Sequence, residues 1–424
     1  MRFKVQGIAN EILEKMCLEN RYKFLNANLP TIITDKQMAF LKEAEQFAVD
    51  YEKKNKIDHT EDIYTYLPAF GAKGYICRFH NFKEIGLNYE NSGLQIEMMR
   101  YLAVDMFDTQ FSMSIGATTL CINPCQAHHE GRPEVLKALK ELVTGTAVGC
   151  ILITEPERGS DATHQLTTCK AQPDGSYLLN GTKIYNTNAP KANWAVSYAS
   201  TESNNADTMG QFLINTKTPG WNCDRILIPS VPRIWLGKEE LKDLRIPKEQ
   251  VLGPPGKGVA HLFEGLTTER LGIAFEDLAE SWGALAFAFI YANLRKQFDK
   301  PIITFQGLGF LLADLYTNVM NITMALQKFS ESYDEKIVKY QGKIPKDLAN
   351  LFATSASQLK YSAAKLTEET CYECANLMAG AGVNDNTLMQ DLLGVSRIQE
   401  IVGGTRQIQQ YIISRALGSL FKLI

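Results

Sequence analysis

The sequence predicts a mainly α-helical protein with a small antiparallel β domain in its middle. Three observations carry this. Apolar residues recur at helical spacing before about residue 148 and again after 257. Between them, short β-branched and aromatic runs alternate with turn residues. At 424 residues the chain is also too long for one compact core. The expected division is an N-terminal α-helical domain (1–148), a middle β domain (149–256) and a C-terminal four-helix bundle (257–424).

The opening MRFKVQGIANEILEKM sets Arg2 and Lys4 ahead of an amphipathic stretch carrying Glu11 and Glu14. It has no long apolar core and no small-residue cleavage site, so it reads poorly as a signal or transit peptide. Met38, Leu41, Ala44 and Phe47 then form a one-sided stripe, and Val135, Leu136, Leu139, Leu142 and Val143 form another. Thr144-Gly145-Thr146 punctuates the chain. The runs CILIT, SYLLNG, WAVSYA and GQFLIN read as strands, with Pro173-Asp174-Gly175 and Asn180-Gly181 as turns. Gly253-Pro254-Pro255-Gly256 closes this region. Helix returns with Leu271, Phe275, Leu278, Trp282, Leu285 and Phe289 stepping by four and three, the pattern of a bundle seam. The polar stretch 331–350, with KYQGKIPKD, predicts an exposed connection or a lengthened helical hairpin. Neither internal repeats nor low-complexity tracts stand out.

Composition narrows the classes. Hydrophobic residues at 45% and charged residues at 21% are ordinary for a globular protein. With a net charge of −3, nothing suggests a surface for nucleic acid or anionic membrane. The longest apolar runs, such as 284–292, fall far short of the roughly 20 residues that span a bilayer, and cytoplasmic placement follows by default. Nine cysteines, an odd number, fit reduced thiols better than a disulfide framework. Cys371 and Cys374 form a CxxC and Cys121 and Cys125 a CxxxC, yet no second pair or histidines lie nearby in sequence. No metal site is expected; buried free thiols are.

The segments richest in chemistry are ITEPERGSD (153–161) and LNGTKIYNTNAPKANW (179–194). Thr154, Ser160 and Thr187 supply short hydroxyls beside glycine-permitted turns, and such donors can approach a planar heteroaromatic ring and its phosphates closely. Tyr185 could lie against such a ring. Ordinary strand and turn chemistry would explain the same residue types. The two segments, however, resemble the flavin-cradling strands of the acyl-CoA dehydrogenase family, where TEP-x-x-GSD precedes NG-x-K-x-W-ITN. The resemblance implies that Thr154, Tyr185 and Thr187 contact the isoalloxazine of FAD, with Tyr185 where the family usually has Trp. Ser160 would lie near the cofactor and the pantetheine arm of the substrate. Asn186 stands in place of the usual Ile, and Arg158 is unusual beside the glycine.

RKQFDKPIITFQ (295–306) is similar to a second family block, whose Arg, Phe and Gln reach FAD bound by a neighbouring subunit. By that resemblance Arg295, Phe298 and Gln306 bind cofactor across a homodimer or homotetramer interface. An arginine fork suits pyrophosphate oxygens, although Arg295 could equally be a surface charge closing a helix. Asp299 replaces the usual Gly. The third block, NLMAGAGVND and SRIQEIVGGTRQIQQYIISR within 376–415, resembles the region that holds the dinucleotide. Asn376, Gly380, Thr405 and Gln407 are the implied contacts, Asn376 standing where Gln is common. Gly394 and Val395 replace an Arg-Asp pair often found there.

The family reaction needs a carboxylate to take the α-proton while the β-hydride moves to the flavin. In many members that Glu precedes Gly-Thr in the last block, but here the chain reads Val402-Gly403-Gly404-Thr405. Isovaleryl-CoA and long-chain acyl-CoA dehydrogenases instead carry the base on another helix, directly before an Arg. Thr268-Glu269-Arg270-Leu271 matches that arrangement, which makes Glu269 the expected base. A carboxylate enclosed with an acyl chain and flavin is poorly solvated, which raises its proton affinity toward working pH. Arg270 and the N–H of Gly403 are implied on the substrate side, the latter as a donor to the thioester carbonyl. A solvated helix residue, or an ion pair with Arg270, is the bland alternative for Glu269. The expected activity is therefore FAD-dependent dehydrogenation of an acyl-CoA, with electrons passing to an electron-transfer flavoprotein. Alternatives are an acyl or aminoacyl group on a carrier protein, desulfination, decarboxylation or oxygen chemistry with Arg158 on a substrate anion, and a non-catalytic flavin-binding relative.

Overall fold

The computed structural model describes residues 8–420, so Arg2 and Lys4 lie outside the described residues. In chain order the helices are α1 (Asn10–Lys15), α2 (Leu18–Asn28), α3 (Asp35–Asn55), α4 (Leu67–Ala72), α5 (Leu94–Phe107), α6 (Thr109–His128) and α7 (Pro133–Val143). Strands follow: β1 (Gly149–Leu152), β2 (Thr168–Ala171), β3 (Tyr177–Thr187), β4 (Trp194–Ser200), β5 (Met209–Asn215), β6 (Trp221–Ile226), β7 (Leu236–Ile246) and β8 (Val251–Gly253). Helix α8 (Gly258–Leu294) leads to the short pair β9 (Lys296–Gln297) and β10 (Lys300–Pro301). Then come α9 (Gln306–Lys339), α10 (Lys346–Met378), α11 (Met389–Gln399) and α12 (Arg406–Leu420). The described residues form two compact units: 8–61, 91–113 and 270–420 in one, and 62–90 with 114–269 in the other.

The first unit is helical. Thr34 opens α3 with a capping box, its hydroxyl accepting from the Gln37 N–H at 3.3 Å while the Gln37 side chain accepts from the Thr34 N–H at 3.1 Å. The buried face of α3 is Phe40, Leu41, Ala44, Ala48 and Val49. Met38 and Phe47, expected on the stripe, are half-buried at its edges, because a face wide enough to pack two neighbours takes in i+4 as well as i+3 positions. Leu271, Phe275, Leu278, Trp282 and Leu285 are buried as the spacing predicts, whereas Phe289 is 42% exposed. Much of α8 is buried on every side, including Glu276, Asp277 and Glu280, and Asp105 of α5 is buried too. Burial pushes these four carboxyls up, Glu276 to about 7. The polar stretch 331–350 is the tip of a long α9–α10 hairpin. Between β9 and β10, Phe298 (φ 50°) and Asp299 (φ 61°) make a tight turn with both residues left-handed, which leaves Phe298 87% exposed.

The second unit centres on one sheet of order β6-β7-β3-β2-β4-β5-β8, with β1 beside β4. It is mixed where the sequence suggested antiparallel. β4 runs parallel to β1 and, through one pair of residues, to β2. Long crossovers separate these partners along the chain, and only such connections permit parallel pairing. Pro173-Asp174-Gly175 turns β2 into β3, Gly175 having φ 81°. Asn180-Gly181, expected as a turn, lies instead inside β3 at a bulge. The backbone of Thr167 approaches so closely there that a Cβ on Gly181 would sit 2.7 Å from its Cα. Gly145 (φ 69°) ends the turn after α7, and a Cβ on it would stand 2.1 Å from the Leu67 carbonyl oxygen.

All nine cysteines are free; Cys17 is exposed, Cys223 half-buried and the other seven buried. Among the described residues no helix is long and apolar enough to cross a membrane.

Candidate active site

In the second unit the segment after β1 doubles back at once, with reciprocal backbone hydrogen bonds between Glu155 and Arg158 at 2.9 and 3.1 Å. Glu155 is the anchor. Its buried carboxylate accepts from the N–H of Leu166 at 2.6 Å, the N–H of Thr167 at 2.9 Å and the Lys183 ammonium at 3.0 Å. Burial pulls Lys183 down to about 8 against the attraction of Glu155. Burial also opposes the Glu155 carboxylate, but Lys183 and these donors outweigh it and hold the carboxyl below its ordinary value. Thr154 is thereby fixed against β3, its carbonyl accepting from the Ile184 N–H at 2.9 Å.

The next residue, Tyr185, has φ 61°, sits where the β3–β7 register shifts, and is 58% exposed. The bulge turns an aromatic face outward beside Thr154 and Thr187. The neighbouring Asn186 points inward and donates to the buried carboxylate of Glu239, which also accepts from the Cys223 thiol at 3.4 Å. Burial lifts Glu239 to about 7. Ser160 lies exposed in the loop after β1. Arg158 is committed to its own surroundings, donating to the carbonyls of His164 (3.2 Å) and Glu157 (3.2 Å) and to Asn204 Oδ1 (3.0 Å). A substrate anion would have to compete with all three.

Glu269 is half-buried on α8 and lines a cavity of about 10 Å³. Leu120 and Pro124 of α6, Ile151 and Ile153 next to Thr154, and Leu262 and Leu266 of α8 make its walls apolar. Asn123 and Tyr198 are the polar groups there besides Glu269.

In the first unit, Arg270 is buried and its Nε donates to the Gly403 carbonyl at 3.2 Å. Gly403 (φ 65°) and Gly404 (φ 96°) form a left-handed turn that residues with side chains rarely adopt. Gln409 donates to both carbonyls, at 3.0 and 2.7 Å, and the buried Lys360 donates to Gly404 at 3.1 Å. Sequence reasoning missed Lys360 and Gln409, since a lysine or glutamine on an amphipathic helix looks like a surface residue. Thr405 precedes α12 and its hydroxyl accepts from the Ile408 N–H at 3.4 Å, while Gln407 is exposed on the first turn. Asn376 and Gly380 are exposed around the end of α10, and a Cβ on Gly380 would meet nothing within 4 Å. Arg295, Phe298 and Gln306 are exposed around the β9–β10 hairpin.

These donors fit FAD. In the second unit, an outward aromatic face flanked by hydroxyls suits a planar flavin; within the first, the N-terminus of a 15-residue helix and an exposed arginine are each of a kind that suits phosphates.

Residues 150–238 match the family model for the acyl-CoA dehydrogenase middle domain, and residues 256–418 match the model for the C-terminal domain. The isovaleryl-CoA dehydrogenase of Oryza sativa is 31% identical over 314 residues, 72% of each chain. The caffeyl-CoA reductase-Etf complex subunit CarC of Acetobacterium woodii is 29% identical over 299 residues, 67% of this chain and 72% of that one. The butyryl-CoA dehydrogenase structure from Megasphaera elsdenii superposes with a TM-score of 0.79 at 25% identity, covering 91% of this chain and 98% of its own. By class this is a FAD-dependent oxidoreductase. The chain belongs to the acyl-CoA dehydrogenase family.

Proposed function

We propose that the chain oxidises the Cα–Cβ bond of an acyl-CoA thioester, with Glu269 as the base that takes the α-proton. The observation that carries this is Glu269 itself, a half-buried carboxylate with largely apolar neighbours placed directly before Arg270, while the turn at Gly403–Gly404 has no side chain to serve. Bound FAD supplies the acceptor for the β-hydride.

The remaining roles follow from chemistry and position. The Gly403 N–H donates to the thioester carbonyl, acidifying the α-proton, and Arg270 holds that turn through the Gly403 oxygen. Thr154, Tyr185 and Thr187 hold the isoalloxazine, and Ser160 lies toward the pantetheine. Asn376, Gly380, Thr405 and Gln407 hold the dinucleotide. Arg295, Phe298 and Gln306 do so from a second copy in a homodimer or homotetramer, and the 87% exposure of Phe298 supports an intersubunit role. An electron-transfer flavoprotein is the partner that takes the electrons, in keeping with the Etf complex named for the Acetobacterium relative. Fatty-acid metabolism in the cytoplasm and the three-domain division at 148 and 256 complete the reading.

The test is anaerobic addition of a panel of acyl-CoA esters to the FAD-loaded protein, following loss of flavin colour. Glu269→Gln is expected to slow that bleaching by about 10³-fold while leaving the spectrum of bound FAD intact. Bleaching at the wild-type rate in this variant would sink the assignment of the base.

A further inference from the structure

Behind Glu269 lies an ordered line of polar groups that the proposed chemistry has not yet used. Tyr198 and Gln211 face each other in the β4–β5 register and each is 1% exposed. The Gln211 amide donates to the Tyr198 oxygen at 2.7 Å, and its carbonyl oxygen lies 3.2 Å from His261 Nδ1. His261 can reach it because Gly253, paired with Gln211 across β5 and β8, has no side chain. A Cβ there would stand 2.4 Å from Nδ1. His128 stacks on His261, ring centroids 4.5 Å apart.

The direction of this line is set by proton inventory. Burial lowers both imidazoles, His128 to about 4, so both are neutral near pH 7. The charged groups facing His261 are Glu264, Lys257 and Arg132. A neutral ring protonated on Nδ1 donates to the Gln211 oxygen, which turns the Gln211 N–H toward Tyr198. The Tyr198 oxygen is then occupied as an acceptor, and its proton is left for the cavity it shares with Glu269. Burial, with the charges of Glu269 and Glu264, keeps this phenol protonated.

The cavity volume of about 10 Å³ matches one water molecule and is far too small for an acyl chain. Asn123 Oδ1, a buried acceptor with no partner among the described residues, belongs to a residue lining the same cavity, its amide donating to Thr268 at 3.4 Å. A water there would accept from Tyr198 and donate to Glu269 and Asn123, so all three of its bonds have the correct sense. We infer that this cavity binds one structural water, and that through it Tyr198 is a positioning residue that steadies the ionised carboxylate of Glu269. The inference deepens the reading of Glu269 as base and rests on it.

Tyr198→Phe tests it in the FAD-loaded protein. The acid limb of the pH profile for flavin reduction is expected to move up by about one pH unit, a tenfold loss at low pH that recovers at high pH. Asn123→Leu, which fills the cavity, should move it the same way and serves if Tyr198→Phe fails to fold. An equal loss at every pH in both variants, or no change, would overturn the inference. A second measurement needs no turnover: infrared titration of the Glu269 carboxyl band, identified by subtracting Glu269→Gln. The same shift there supports the water-linked role even if no acyl-CoA bleaches the wild type, an outcome that would defeat the proposed activity alone. An unmoved band overturns the role even if the activity stands.

Discussion

Glu155 and Lys183 illustrate what a motif does physically. Both lie in segments readable from sequence, yet both are buried and turned inward; they fasten the loop that carries Thr154. Lys183→Met would leave the Glu155 carboxylate, 3% exposed, with only N–H donors. Breaking a buried pair in this way is expected to cost about 3 kcal/mol or more in urea unfolding and to weaken FAD binding. Adding Glu155→Gln should recover part of the stability; no recovery would mean that Lys183 acts through packing alone. Glu269 and Thr154 could be singled out as candidates because their motifs are contiguous in sequence. Tyr198, Gln211, Lys360 and Gln409 were not, because their partners come from distant strands and helices and only folding brings them together.

At the level of elements, period and turn chemistry carried most of the fold. The α8 stripe follows from the spacing of apolar residues, and the α9–α10 hairpin from the polar stretch 331–350, which predicted an exposed connection or a lengthened hairpin. Asn180-Gly181 misled because the same dipeptide that makes a turn also suits a bulge, where a missing Cβ admits a neighbouring backbone. Parallel pairing of β1 with β4 left no local trace, since register across a crossover is set by packing. The turn at Phe298 and Asp299 was not legible as a hairpin, because a phenylalanine with φ 50° runs against local preference.

Across the whole molecule, the buried carboxyls set the response to pH. Glu276 rises from 4.5 to about 7 on folding, so between those values the folded chain binds more protons than the unfolded chain. Its contribution is fully present below pH 4.5 and lost as pH rises through about 7, a change of about 3 kcal/mol. Asp105, Asp277 and Glu280 shift in the same direction. Urea midpoints should therefore fall between pH 5 and pH 8, and Glu276→Gln should flatten that fall; an unchanged slope in the variant would refute the assignment. The distribution of thiols has a practical corollary. Burial raises Cys169 to about 12 and lifts Cys121, Cys150, Cys371 and Cys374 as well, while Cys17 stands in solvent. A brief pulse of iodoacetamide should mark the native chain chiefly at Cys17, and the sulfurs of the interior only as it opens, so their labelling would clock unfolding without any added probe.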